Sequence, residues 1–156
     1  MTSDGIATED WDQVHELALG VVNLSGEGDV AASHRAPLCL AELLDDLQEK
    51  YGPLPSLFAT RADYLDKFED RGYWHLAAYK QAVERGDAKN PASISESLAP
   101  LYVESPRWKE AAGRMRRLEH DLAVCPDVYE AEQVVRIRGL RASHAEAERR
   151  ESEERA

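Results

Sequence analysis

Apolar residues recur three and four positions apart along most of the chain, and no stretch alternates apolar with polar as a half-buried strand would. The pattern predicts an all-α protein of about seven helices. The first covers about 10–24 and carries Trp11, Val14, Leu17, Ala18 and Val21 on one face. A polar break at 25–29, containing Gly26 and Gly28, separates it from a second helix over 30–51 with Leu40, Leu43, Leu44 and Leu47 on one stripe. Gly52, then Pro53 and Pro55, end that helix as a C-terminal glycine and trailing prolines do. A third helix is predicted over 56–70 and a fourth over 72–85, closed by Gly86. Asn90 followed by Pro91 opens a fifth over 90–104, and Ser105-Pro106 opens a sixth over 106–124. Pro126-Asp127, with Glu130 three residues on, reads as a capping box for a seventh over 127–140. Beyond Leu140 the only apolar residues are alanines among Glu and Arg. Residues 1–140 are therefore expected to form one domain, and 141–156 a charged, fraying helical tail.

Sliding the chain against itself gives one informative offset, of 34 residues. It sets Tyr64 on Leu98, Leu65 on Ala99, Phe68 on Tyr102, Trp74 on Trp108, Ala77 on Ala111 and Ala78 on Ala112. Large and small positions coincide together, which matters because a small residue belongs where two helices cross closely and an aromatic where they diverge.

That period, with Leu98, Ala99, Tyr102 and Ala111 in one hairpin and Tyr64, Leu65, Phe68 and Ala77 in another, resembles the tetratricopeptide repeat (TPR). Leu65 departs from the small residue usual there, and the first hairpin matches only through Leu17, Ala18 and Val21, with Ala32 two residues late. The resemblance covers about 10–123. It implies three antiparallel TPR-like hairpins in a right-handed superhelical array, with the seventh helix as a cap that lays Tyr129, Val134, Val135, Ile137 and Leu140 on the last hairpin.

The resemblance also implies a ligand groove lined by the first helix of each hairpin. Carried over, its positions are Asp12, His15, Leu19, Val22 and Asn23, then Ala59, Ala62, Asp66, Glu69 and Asp70, then Ser93, Glu96, Pro100, Val103 and Glu104. Six are acidic and none is basic, so the Lys, Arg and Asn clamp with which the chaperone-binding branch of the family holds a terminal carboxylate is absent.

Charge sharpens this picture. The 156 residues include 30 Asp and Glu against 19 Lys and Arg, a net charge of -11 that disfavours binding to a phosphate backbone or an anionic membrane. A basic protein segment is the natural complement. At 43% hydrophobic and 31% charged residues the chain is too apolar for disorder and too charged for a membrane span. Its N-terminus, polar and acidic, lacks the pattern of a signal peptide, and a cytoplasmic protein is expected. Arg well outnumbers Lys and Ile is scarce, a composition typical of high-GC bacteria.

Catalytic chemistry finds little support. Cys39 and Cys125 fit no zinc spacing, and Cys39 lies five residues from His34 on a helix that Pro37 interrupts, a poor nucleophile–base geometry. Asp12 to His15 is a single Glu-x-x-His-like pair, where a dinuclear site needs two. Glu42, Asp45, Asp46 and Glu49 read as a solvated face, and Gly26-Glu-Gly28 as a hairpin turn, without the strand or Lys-Ser/Thr of a nucleotide loop. The expectation is a non-catalytic adaptor without metal or cofactor. Its rivals are an immunity protein or antitoxin that masks a basic toxin, and a helical-bundle metal or small-molecule enzyme.

Overall fold

A computed structural model describes residues 1–24, 30–87, 89–105, 107–125 and 130–154. The break at 25–29, Pro106, and the Pro126-Asp127 cap with Tyr129 lie outside the described residues, as do the side chains of Ala32, His34, Trp108 and Val134.

Among the described residues the chain is all-helical, with seven helices and no strand: α1 (Thr8–Leu24), α2 (Val30–Tyr51), α3 (Pro55–Asp63), α4 (Phe68–Glu84), α5 (Asn90–Val103), α6 (Trp108–Val124) and α7 (Glu130–Glu154). None is long and apolar enough to cross a membrane. Consecutive helices pair α1 with α2, α3 with α4 and α5 with α6, and each pair packs on the next. Of the stripe predicted on α2, Leu40, Leu44 and Leu47 are buried and meet Val14 of α1 and Leu57 of α3, while Leu43 is half-buried beside them. The backbone of α2 runs through Pro37 as one helix.

α5 is the centre. It packs against α3, α4, α6 and α7, and its 14 residues hold a single charge, Glu96, as a helix enclosed on nearly all sides requires. Around it Ala62, Ala78, Ala82, Ala99 and Ala111 are fully buried, the small residues that let helices approach. Ser95 Oγ of α5 donates to Asp121 Oδ2 of α6 at 2.5 Å, and Tyr79 Oη of α4 donates to Asp121 Oδ1 at 3.0 Å. Burial, and then this bond to Asp121, hold the Tyr79 hydroxyl above the usual phenol value, so it remains a donor.

The acidic N-terminus is a strap across two helix starts. Leu54, the N-cap of α3, has no capping side chain, and Asp4 Oδ2 takes that place, accepting Ser56 N–H at 2.8 Å and Ser56 Oγ–H at 2.6 Å. Gly5, at φ 108°, turns the chain so that Ile6 enters the α1–α2–α3 core with no exposure. Ser3 Oγ donates to Asp87 at 2.9 Å, and Asp87 Oδ1 accepts Lys89 N–H at 2.8 Å and Asn90 N–H at 3.1 Å. Asp87, rather than Asn90, therefore caps α5, and the N-cap position itself is Lys89.

Several expected boundaries move. α3 stops at Asp63 instead of residue 70, and α4 begins at Phe68 instead of residue 72. A helix continued to 70 would stack Asp63, Asp66, Glu69 and Asp70 three and four residues apart against the negative end of its dipole. The break puts Glu69 and Asp70 in the first turn of α4, where the dipole favours them. The 34-residue offset thus fails at Phe68, which opens α4, whereas Tyr102 lies at the end of α5, and the two rings pack on each other at 5.3 Å, although Trp74, Ala77 and Ala78 of α4 still fall on residues of α6. At the C-terminus α7 passes residue 140 without interruption to Glu154. His144 is buried on it, and Glu146 pairs with both Arg149 and Arg150 within one turn, which supports a helix that has few apolar residues.

Two outcomes are expected. Asp121→Ala, which strands the buried Ser95 hydroxyl, should cost about 2–4 kcal/mol in urea unfolding with an unchanged m-value. Burial pushes the Asp87 carboxyl up, but the bonds from Asn90, Lys89 and Ser3 outweigh it and leave its pKa below 3.8. That stabilisation is complete above the unfolded value and disappears as pH falls through the folded one. Wild type should therefore lose more stability than Asp87→Asn between about pH 6 and about pH 3.

Candidate functional site

Of the residues expected to line one groove, the structure brings three together. Asp66 lies in the α3–α4 connection, Glu69 in the first turn of α4 and Glu104 just past α5. All three line an open cleft of about 280 Å³ whose floor includes Phe68 and Leu101. Asp70 is exposed beside it in the first turn of α4 and is not part of the lining.

The others are placed apart. Asp12, His15, Leu19, Val22 and Asn23 are exposed on α1, which among the described helices packs on α2, and none of them lines the cleft of Asp66, Glu69 and Glu104. His15 instead sits beside the Trp11 ring at 5.8 Å. Val103 is no groove residue: it is 6% exposed, packed in the cluster that contains Phe58 and Leu98, because four helices surround α5. Ala62 is buried for a similar reason, while Ser93 is exposed and Ala59 and Pro100 are half-buried.

Cations reach these carboxylates from outside the carried-over positions. Arg71 and Arg107 line the cleft along with its three carboxylates, and Glu96 is paired with Arg136 of α7 at 2.9 Å. These cations come from α4, the α6 start and α7, elements that a reading confined to the first helix of each hairpin leaves out. Arg107 is half-exposed and loosely held. Its guanidinium lies 5.1 Å from the centre of the Phe68 ring and 4.0 Å from both Glu69 and Glu110. The cleft therefore already seats one guanidinium, on an aromatic face with a carboxylate beside it.

A second groove adjoins the first, and sequence reasoning missed it. Val21 of α1, Pro37 and Leu38 of α2 and residues 63–66 enclose about 530 Å³, with Asp66 shared between the two cavities. Leu38 stands off the buried Leu40, Leu44 and Leu47 stripe, the one signal that could have pointed here. On the wall of this groove, burial and then the neighbouring Asp63 charge push the Tyr64 hydroxyl up, keeping it neutral. Behind it, the fully buried His75 brings Nε2 within 3.2 Å of Asp63 Oδ1, although neither ring nitrogen makes a hydrogen bond.

Among the described residues no three His, Cys, Asp or Glu side chains converge as a metal site would need. Comparison with protein-family models, with curated proteins and with solved structures gave no match.

Because exposed ion pairs contribute little, Arg107→Ala should lower stability by under about 1 kcal/mol. By freeing Phe68 and Glu69 it should also raise affinity for an arginine-rich peptide severalfold, as read by fluorescence anisotropy.

Proposed function

We propose that the protein is a non-catalytic protein–protein interaction module that binds a basic segment of a partner at the cleft of Asp66, Glu69 and Glu104. The observation that carries this is the convergence of these three carboxylates, from the α3–α4 connection, α4 and the end of α5, around Phe68. An aromatic face beside carboxylates suits a guanidinium through both charge and ring quadrupole. Net acidity would add long-range attraction for a cationic partner. We read the scaffold as a stack of helical hairpins of TPR-like kind. Support comes from the pairwise packing of α1–α2, α3–α4 and α5–α6, from α3 touching α5 and α5 touching α7, and from α7 covering Ala92, Ala99, Leu118 and Leu122 with Ile137 and Leu140. A cytoplasmic setting and the absence of a cofactor belong to the same reading.

One observation favours the masking of a basic toxin as a second reading. Glu42, Asp45, Asp46 and Glu49 form a further exposed acidic face on α2, so the negative surface extends well beyond the cleft.

Affinity capture from a native lysate at about 50 mM and about 500 mM salt, with wild type and an Asp66→Lys/Glu104→Lys variant, tests both. Wild type should retain a basic protein at low salt and release it at high salt, and the variant should lose it at least tenfold. Loss only on reversing Asp46 and Glu49 would favour the masking protein. An identical catch with an identical salt response from every variant overturns both readings.

A further inference from the structure

We infer that the groove framed by Pro37, Leu38, Tyr64 and Leu65 takes a large apolar side chain of the same basic segment, so that the ligand class is a cationic segment with an apolar anchor. The inference rests on the reading of the Asp66 cleft as a basic-segment site and adds a second, chemically distinct subsite to it.

Four observations of geometry carry it, and the state of one hydroxyl supports it. The groove encloses about 530 Å³, within the range of cavities that hold a ligand group. Leu38 is 64% exposed at its edge and lines it together with Val21, Pro37 and Leu65, which gives the groove an aliphatic wall. Asp63 and Asp66 line the same cavity, so a chain whose apolar side chain enters it is electrostatically matched when that chain is cationic. Asp66 lines both cavities, which makes them neighbouring subsites that one continuous segment reaches. The neutral Tyr64 hydroxyl at the wall provides a polar contact without a charge to desolvate.

The division of labour follows from the two linings. The Asp66, Glu69 and Glu104 cleft supplies charge and salt dependence. Leu38, Pro37 and Leu65 of the second groove supply apolar burial, whose contribution is largely independent of salt, while Asp63 and Asp66 add charge there too.

Selection of a displayed random 12-residue peptide library on the full chain tests this, followed by anisotropy with the enriched peptides. Enriched sequences should pair Arg or Lys with Leu, Ile, Met or Phe at a recurring spacing. Leu38→Gln should weaken them about tenfold or more with an unchanged salt slope. Asp66→Lys should flatten the slope, and Val83→Gln, at an exposed position on α4 outside both cavities, should change nothing. Basic peptides without a recurring apolar residue, or binding that Leu38→Gln leaves intact, overturn the inference while the basic-segment reading stands. Enrichment of acidic peptides, or none at all, overturns both. Wild-type dimers in sedimentation that Leu38→Gln dissociates, with peptide affinity unchanged, would identify a second copy as the occupant and likewise overturn it.

Discussion

A carboxylate enclosed by three helices is tolerable only while its oxygens are hydrogen-bonded, and Asp121 meets that condition through Ser95 of α5 and Tyr79 of α4. Because apolar packing alone allows helices to slide, these directional bonds fix the level at which α4 and α6 meet the central α5. That level in turn sets Phe68 against Tyr102, and so places the first turn of α4 beside the end of α5. The acidic cleft exists only at that meeting point, which makes a buried polar contact on one side of α5 a determinant of surface chemistry at its end.

The N-terminal strap extends the same logic. A short helix with leucine at its N-cap leaves its first N–H groups without a local acceptor, and Asp4 supplies one from more than 50 residues away in sequence. Ser3 continues the strap to the Asp87 cap of α5. Two helix starts and the α1–α2–α3 core, through Ile6, are thereby tied to seven residues that sequence analysis treated as a bare terminus. Nothing in their local pattern marks them, since a capping partner distant in sequence has no fixed spacing to detect.

Charge placement explains the largest departure from expectation. Asp66, Glu69 and Asp70 look like the exposed side of a long third helix when only apolar spacing is read. Helix-end electrostatics favours ending that helix at Asp63, and this transfers Glu69 and Asp70 to the start of the next. The acidic residues were legible as a cluster, and the dipole argument to place them was available, but the repeat register pointed elsewhere. Val103 departs for a different reason: burial on α5 depends on four neighbouring helices, and no single-helix periodicity encodes that number.

Apolar spacing and Gly/Pro punctuation determined the all-helical class and seven helices seen among the described residues, and the bounds of α2 and α5 to within a residue, because these depend on contacts three and four residues apart. Acidic composition determined the sign of the net charge. Tertiary structure alone decided which carboxylates share a cleft, that Arg107 answers Glu69 there while Arg136 answers Glu96 elsewhere, and that Leu38 borders a second groove through Asp66. The physical reason is that a site is a property of neighbours brought together by packing, whereas a helix is a property of neighbours along the chain.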